Sequence, residues 1–161
     1  MTPSSSPADT STPIAVESPS LILQLKPEEQ AAVDAVQAYL DKWTYIGQNL
    51  PDVDYNSIRE VSDGSAANNA LQEWALWIQH GWHLVGTPEF ELTYVSSGAT
   101  DDLGTRYHVH GCYSSENAYL VDSTGAPLEK GSVRGTALYL VLTTPDNGSG
   151  VLEETDEGQP C

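Results

Sequence analysis

Apolar positions recur along this chain with two different periods, and the change between them divides it. Val33, Val36, Leu40 and Trp43 fall at three- and four-residue spacing, with Tyr39 beside them. That stripe predicts an amphipathic helix of about five turns. Lys26-Pro27-Glu28-Glu29 marks its start, because proline suits the first turn and acidic residues favour the positive end of the helix dipole. Gly47-Gln48-Asn49, ahead of Pro51, marks its end. The polar stretch from Asp52 to Gly64 predicts a short helix around Tyr55 to Val61. A second long helix is expected from about Ala66 to Leu84, with Leu71, Trp74, Ala75, Ile78 and Trp82 as its buried stripe. Trp77 falls off that stripe, towards a cavity or a second layer, and Gly86 and Pro88 close the helix.

Beyond Pro88 the period becomes two. Phe90, Leu92 and Tyr94 alternate with Glu89, Glu91 and Thr93, as in a half-buried strand. Further strands are expected at Arg106 to Tyr113, Tyr119 to Val121, Val133 to Thr143 and Val151 to Thr155. Turns are expected at Asp122-Ser123-Thr124-Gly125 and Asp146-Asn147-Gly148. Helices followed by antiparallel strands predict an α+β domain, its N-terminal helices packed on one face of a curved antiparallel sheet. A sheet wrapped around a long helix encloses a cone-shaped cavity.

Residues 1–20 hold six serines, three threonines and four prolines without periodicity. Such a composition buries too little apolar surface to offset the entropy of ordering, so it is expected to be a disordered tether. Leu21, Leu23 and Leu25 then alternate as an extended lead-in to a single domain over residues 21–161, a length suited to one domain. The formal net charge is −17, with only six basic residues. That charge disfavours nucleic-acid phosphates and anionic lipid, and keeps an exported protein soluble. No apolar run reaches the roughly 20 residues that span a bilayer, and no basic-then-apolar signal segment is present. The expectation is a mature form, Met1 being an added residue. Tethers of this kind follow the lipidated cysteine of bacterial lipoproteins, a cysteine this chain does not contain.

Two cysteines are present, Cys112 in a predicted strand and Cys161 at the end of the chain. A bond between them closes a loop of about 50 residues and ties down a terminus that otherwise frays. Pairing between chains through the terminal cysteine, or two unrelated thiols in a cytosolic protein, are the other readings.

The block Tyr107-His-Val-His-Gly-Cys112-Tyr-Ser-Ser115 is followed by Ala118-Tyr-Leu-Val-Asp122 and Thr124-Gly-Ala-Pro127, and the chain closes Glu157-Gly-Gln-Pro-Cys161. This resembles a group of actinobacterial secreted lipoproteins of unknown function, similar in turn to the NTF2-like, or SnoaL-like, cone fold. The resemblance spans roughly Pro27 to Cys161, and its specific motifs lie in the final third. It implies a lipidated N-terminus removed from this chain, a Cys112–Cys161 disulfide and a cavity in the cone. It implies no reaction. The chain departs from the pattern in having few arginines and no tryptophan in the last strand, where Val151 and Leu152 stand instead.

His80 and His83 are three apart on the second predicted helix, and His108 and His110 share one face of a strand. His-x-His on a strand is a metal-ligand geometry. Tyr107 and Val109 supply the apolar face, however, which leaves His108 and His110 on the other side with Arg106, a cation that disfavours a metal ion. The cupin-like set Gly104, His108, His110 and Glu116 has the wrong spacing. Ser114-Ser115 lacks the context of a serine nucleophile, and Asn147-Gly148-Ser149, a glycosylation acceptor by pattern, reads more simply as a turn. Tyr39, Trp43, Trp74, Trp77, Tyr94 and Tyr139 are the candidate lining of the cone, against the plainer reading of aromatic residues as core. No carboxylate is placed inward by the pattern; Asp41 and Glu73 lie beside the stripes and read as solvated. The expectation is a non-catalytic, extracytoplasmic, lipid-anchored module without cofactor or metal. Its partner is an envelope protein or a small apolar or aromatic ligand, and its only membrane contact is the absent anchor. The competing expectation is a small hydrolase or isomerase with its site in the cone, recognised by a buried ionisable pair.

Overall fold

The computed structural model describes residues 24–128, 133–144 and 148–161. The tether, Leu21 and Leu23 of the lead-in, and Asp146-Asn147 of the last turn lie outside the described residues. Helix α1 runs Pro27–Asn49. Glu28 and Glu29 occupy its first turn, and the Glu29 carboxylate accepts the Lys26 backbone N–H at 2.8 Å. Leu50, next to Pro51, is already extended, as a residue before proline is driven to be. Ala32, Ala35, Val36, Tyr39, Leu40 and Ile46 form the buried face of α1. Asp41 faces solvent and accepts from Gln37. A 3-10 helix follows at Tyr55–Glu60.

Helix α2, Gly64–His80, is shorter than its apolar pattern suggests. Gly81 stops it by turning left-handed (φ 75°), a conformation glycine adopts without a Cβ clash. Its buried stripe is Ala66, Ala67, Ala70, Trp74 and Trp77. The expected stripe is therefore rotated: Trp77 points inward and Ala75 is exposed. His83 belongs to the strand that follows, so the expected helical pair of His80 and His83 does not form. His80 instead stacks on Trp82, ring centroids 4.4 Å apart.

Six strands follow among the described residues. β1 (His83–Gly86) and β4 (Ala118–Val121) form an antiparallel pair. β2 (Glu89–Asp101), β3 (Gly104–Ser114), β5 (Arg134–Thr144) and β6 (Gly148–Asp156) form an antiparallel sheet in the order β2-β3-β5-β6. The domain is α+β, with α1 contacting every strand of that sheet and α2 lying against β6. Tyr107, Val109 and Gly111 of β3 pair with Val141, Tyr139 and Ala137 of β5 to make the inner face. Gly111 is required there, since a Cβ would overlap the Phe90 ring that lies across it.

Three register shifts break the simple alternation, one of them between Ser97 and Thr100 near the β2–β3 turn and two others nearer the core. Leu92 pairs with Gly111 but Tyr94 pairs with His110, so Thr93 is an extra residue in β2. Val151 pairs with Val141 but Glu153 pairs with Leu140, so Leu152 is an extra residue in β6. The second bulge is pinned by the segment entering α2. Val151 donates to the Val61 carbonyl, and its own carbonyl accepts from Asp63 N–H at 2.9 Å. The Leu152 carbonyl accepts from the Ser65 hydroxyl.

A disulfide joins Cys112 on the outer face of β3 to Cys161, with Cα atoms 6.0 Å apart. The tail that reaches it is hydrogen-bonded on the way: Glu157 N–H donates to the Thr136 carbonyl, and Thr136 N–H to the Gln159 carbonyl. With a sequence separation of 49 between the two cysteines, the cross-link restricts the unfolded chain by about 4 kcal/mol at most. Cys161→Ser should therefore lower unfolding free energy in urea by up to about 4 kcal/mol. Reductant should destabilise the wild type to the same level and leave the variant unchanged.

Candidate functional site

Three elements converge on one carboxylate. The Leu152 bulge reverses the phase of β6, so that Glu154 pairs with Tyr139 and faces inward with it. Tyr139 Oη donates to Glu154 Oε2 at 2.9 Å, and Tyr39 Oη of α1 donates to Oε1 at 3.3 Å. Both tyrosines are almost fully buried, at 0% and 1% exposure. Their rings meet edge to face at 6.3 Å, and Phe90 meets Tyr139 at 5.3 Å. Two phenols buried in a core need an acceptor, and Glu154 supplies it.

The other side of Glu154 opens into a cleft of about 330 Å³, lined also by Leu40, Trp43, Glu73, Tyr113, Ser115 and Ala137. An adjoining hollow of about 200 Å³ reaches Trp77, Leu84 and Leu120. The two share Trp43, Glu73, Tyr113, Ser115 and Val133. Trp43 stands edge to face on Trp77 at 5.8 Å, so the aromatic wall has a corner.

Glu154 and Glu73 keep an exposed side, yet both carboxyls are raised above the ordinary range. Burial raises Glu154, while hydrogen bonds from Tyr139 and Tyr39 hold it down in part. Glu73 is raised first by burial and then by the charge of Glu154. Burial, Glu154 and Glu73 push Tyr113 up to about 12. Burial first, and then the charge of Glu154, raise Tyr39 and Tyr139 as well, so the phenols remain donors. Among the described residues, ion pairs join Lys42 to Glu60, Arg59 to Asp63 and Arg106 to Asp101. None reaches Glu73 or Glu154.

A larger hollow of about 540 Å³ lies near the start of α1, beside Glu28, Asp101, Asp102 and Tyr107. Its Asp101 is committed, accepting from Leu103 N–H and from Arg106 at 2.7 Å. The two carboxyls raised by burial line the smaller cleft.

The structure separates the six aromatic candidates. Trp43 and Trp77 line the cleft and its lobe. Tyr39 and Tyr139 stand behind it, and Trp74 lies wholly in the core against Trp43 at 6.2 Å. Tyr94 is a correction: the Thr93 bulge turns it to the outer face, 49% exposed and stacked on His110 at 4.0 Å. His108 and His110 occupy that outer face with ring centroids 6.5 Å apart. Desolvation lowers His110. Among the described residues no group of three or more His, Cys, Asp or Glu is arranged to hold a metal ion. Glu73, expected to be solvated, is exposed and also lines the cleft. Glu154 was hidden by the bulge; the usable signal was a pair of core tyrosines needing an acceptor.

No family model matches this chain, and neither does any curated protein. Among solved structures it is similar to the intermembrane space region of the chloroplast protein ARC6. That match is at 19% identity with a TM-score of 0.54, covering 82% of this chain and 98% of that one. The likeness concerns the fold alone. No described helix is long and apolar enough to cross a membrane.

Two outcomes follow. Tyr139→Phe should cost about 1–2 kcal/mol in denaturant unfolding, a hydrogen bond to a charged group discounted for the solvent on the cleft side of Glu154. Glu73→Gln should act with the opposite sign at neutral pH. A carboxyl raised in the folded state makes the protein lose stability as pH rises from about 4.3, the unfolded value, through its folded value. The variant should therefore be more stable than wild type at pH 7 and no more stable at pH 3, by parallel urea titrations.

Proposed function

We propose that this chain is an extracytoplasmic binding domain on an NTF2-like cone, with the Trp43–Glu73–Tyr113–Glu154 cleft as its ligand site. The observation that carries the reading is the cleft itself: about 330 Å³ in volume, within the range of small-molecule sites. Its aromatic walls and two inward carboxyls are the mixture of apolar surface and few polar groups that such sites use. The ligand is a small molecule rather than an envelope protein, because the polar groups lie inside a concavity. The cone reading is supported by the long helix α1 laid along the inner face of the sheet, with the cleft at the helix–sheet seam. An oxidising compartment is supported by the Cys112–Cys161 disulfide, since such bonds persist outside the cytosol. The lipid anchor rests on the resemblance to secreted lipoproteins.

Among the described residues no nucleophile–base pair lines the cleft, which favours binding over catalysis. Ser115 Oγ is engaged with the Val133 backbone, accepting its N–H at 2.9 Å, and no histidine lines the cleft. A second reading, a small hydrolase or isomerase, is favoured by one observation. Two carboxyls of raised pKa share the site, as in general acid–base pairs.

The test is a titration of small-molecule extract from the host envelope, followed by the fluorescence of Trp43 and Trp77, with native mass spectrometry of the product. A saturable change that Trp43→Ala abolishes, with a retained molecule eluting unaltered, is the expected result. A retained molecule that elutes chemically changed points to the enzyme. No retained molecule and no change in fluorescence overturn the cleft as a ligand site.

A further inference from the structure

We propose that the ligand of this cleft is an organic cation, an ammonium or guanidinium group carried on an apolar or aromatic body. The inference rests on the cleft being the ligand site and names the chemistry that fits it. Glu73 and Glu154 line one cavity of about 330 Å³ from two different elements, α2 and β6. Neither receives an ion pair from a described lysine or arginine. Lys42, next in sequence to Trp43, is held by Glu60 at 3.1 Å.

Each class of occupant changes that balance differently. A neutral apolar ligand would strip water from both carboxylates and return nothing, which is costly. An anion would add a third negative charge. A cation compensates both carboxylates at once, and its body covers the apolar wall. Half-buried Trp43 and Tyr113 line the cleft and supply aromatic surface, which attracts ammonium and guanidinium groups.

Glu154 is also prepared for this role. Tyr39 and Tyr139 already fill acceptor positions on both of its oxygens from the core side, which fixes the carboxylate plane. The same glutamate lines the cleft. A carboxylate held in place before the ligand arrives loses little freedom on binding, so more of the charge interaction appears as affinity. The chain's net charge of −17 raises the local concentration of cations around the mouth. A bare metal ion fits less well: Glu73, Glu154 and Asp156 all line the cleft, yet among the described residues no three such groups are arranged to hold a metal ion.

Three probes of one shape separate the possibilities: 2-phenylethylamine, 2-phenylethanol and 3-phenylpropanoate, titrated into full-length protein and read by backbone amide shifts. The amine should bind at least about tenfold more tightly than the alcohol, about 1.4 kcal/mol, and the anion should not bind. Raising the salt concentration should weaken the amine alone. Glu73→Gln, which is expected to fold at least as stably as wild type at pH 7, should reduce the amine to the level of the alcohol. Trp43→Ala should weaken both. Equal binding of amine and alcohol, an unchanged amine affinity in Glu73→Gln, or no binding of any probe overturns the cation. In the last case the envelope-extract titration decides whether the cleft takes another ligand or none, so loss of the cation and loss of the site remain distinguishable.

Discussion

The hydrogen bonds from Tyr39 and Tyr139 to Glu154 are what allow a carboxylate to stand at the inner face of the sheet. Without them an inward glutamate would meet an apolar core, and two buried hydroxyls would have no acceptor. Each group satisfies the other, and the pairing joins α1, β5 and β6 at one point. The geometry depends on a single extra residue. Leu152 shifts β6 by one position, and the Val61–Ser65 segment holds that shift through bonds to Val151 and Leu152. The start of α2, the edge of the sheet and the wall of the cleft are therefore one mechanical unit.

That unit makes the cleft chemically uneven. On the core side Glu154 has two donors; on the open side it faces Glu73 and Tyr113 across aromatic walls. Burial raises both carboxyls, and the charge of Glu154 raises Glu73 further; a cationic ligand offsets that cost. Sites that hold strain of this kind trade some stability for recognition. The disulfide lies on the opposite face of the sheet and anchors the tail that follows β6. It thus secures the strand that presents Glu154 without entering the cleft.

Much of the fold was legible in the residues. Pro27 with the acidic first turn marks the start of α1, Gly47-Gln48-Asn49 ahead of Pro51 brackets its end, and the helix is longer than the five turns expected; the α+β order follows from the change of period. The end of α2 was not, because Trp82 and Leu84 continue the apolar pattern past Gly81 and mask a left-handed stop. The bulges were the larger loss. Strict alternation puts Tyr94 inside with Phe90 and Leu92, and the extra Thr93 puts it outside. The same alternation puts Glu153 inside with Val151, and the extra Leu152 exchanges it for Glu154. A strand's period carries no record of an inserted residue, so one aromatic was assigned to the wrong face and the central carboxylate was missed. The disulfide was within reach because the chain offers two cysteines and so one internal pairing.

The most direct measurement is the titration of the Glu154 side-chain carboxyl by carbon-13 NMR, in wild type and in Tyr139→Phe. The account predicts a midpoint above the ordinary glutamate range in the wild type. It predicts a further rise in the variant, because the lost phenol donor stabilises the ionised form. An ordinary midpoint that Tyr139→Phe leaves in place would mean that Glu154 faces solvent, and the bulge, the paired phenols and the cleft built on them would not stand.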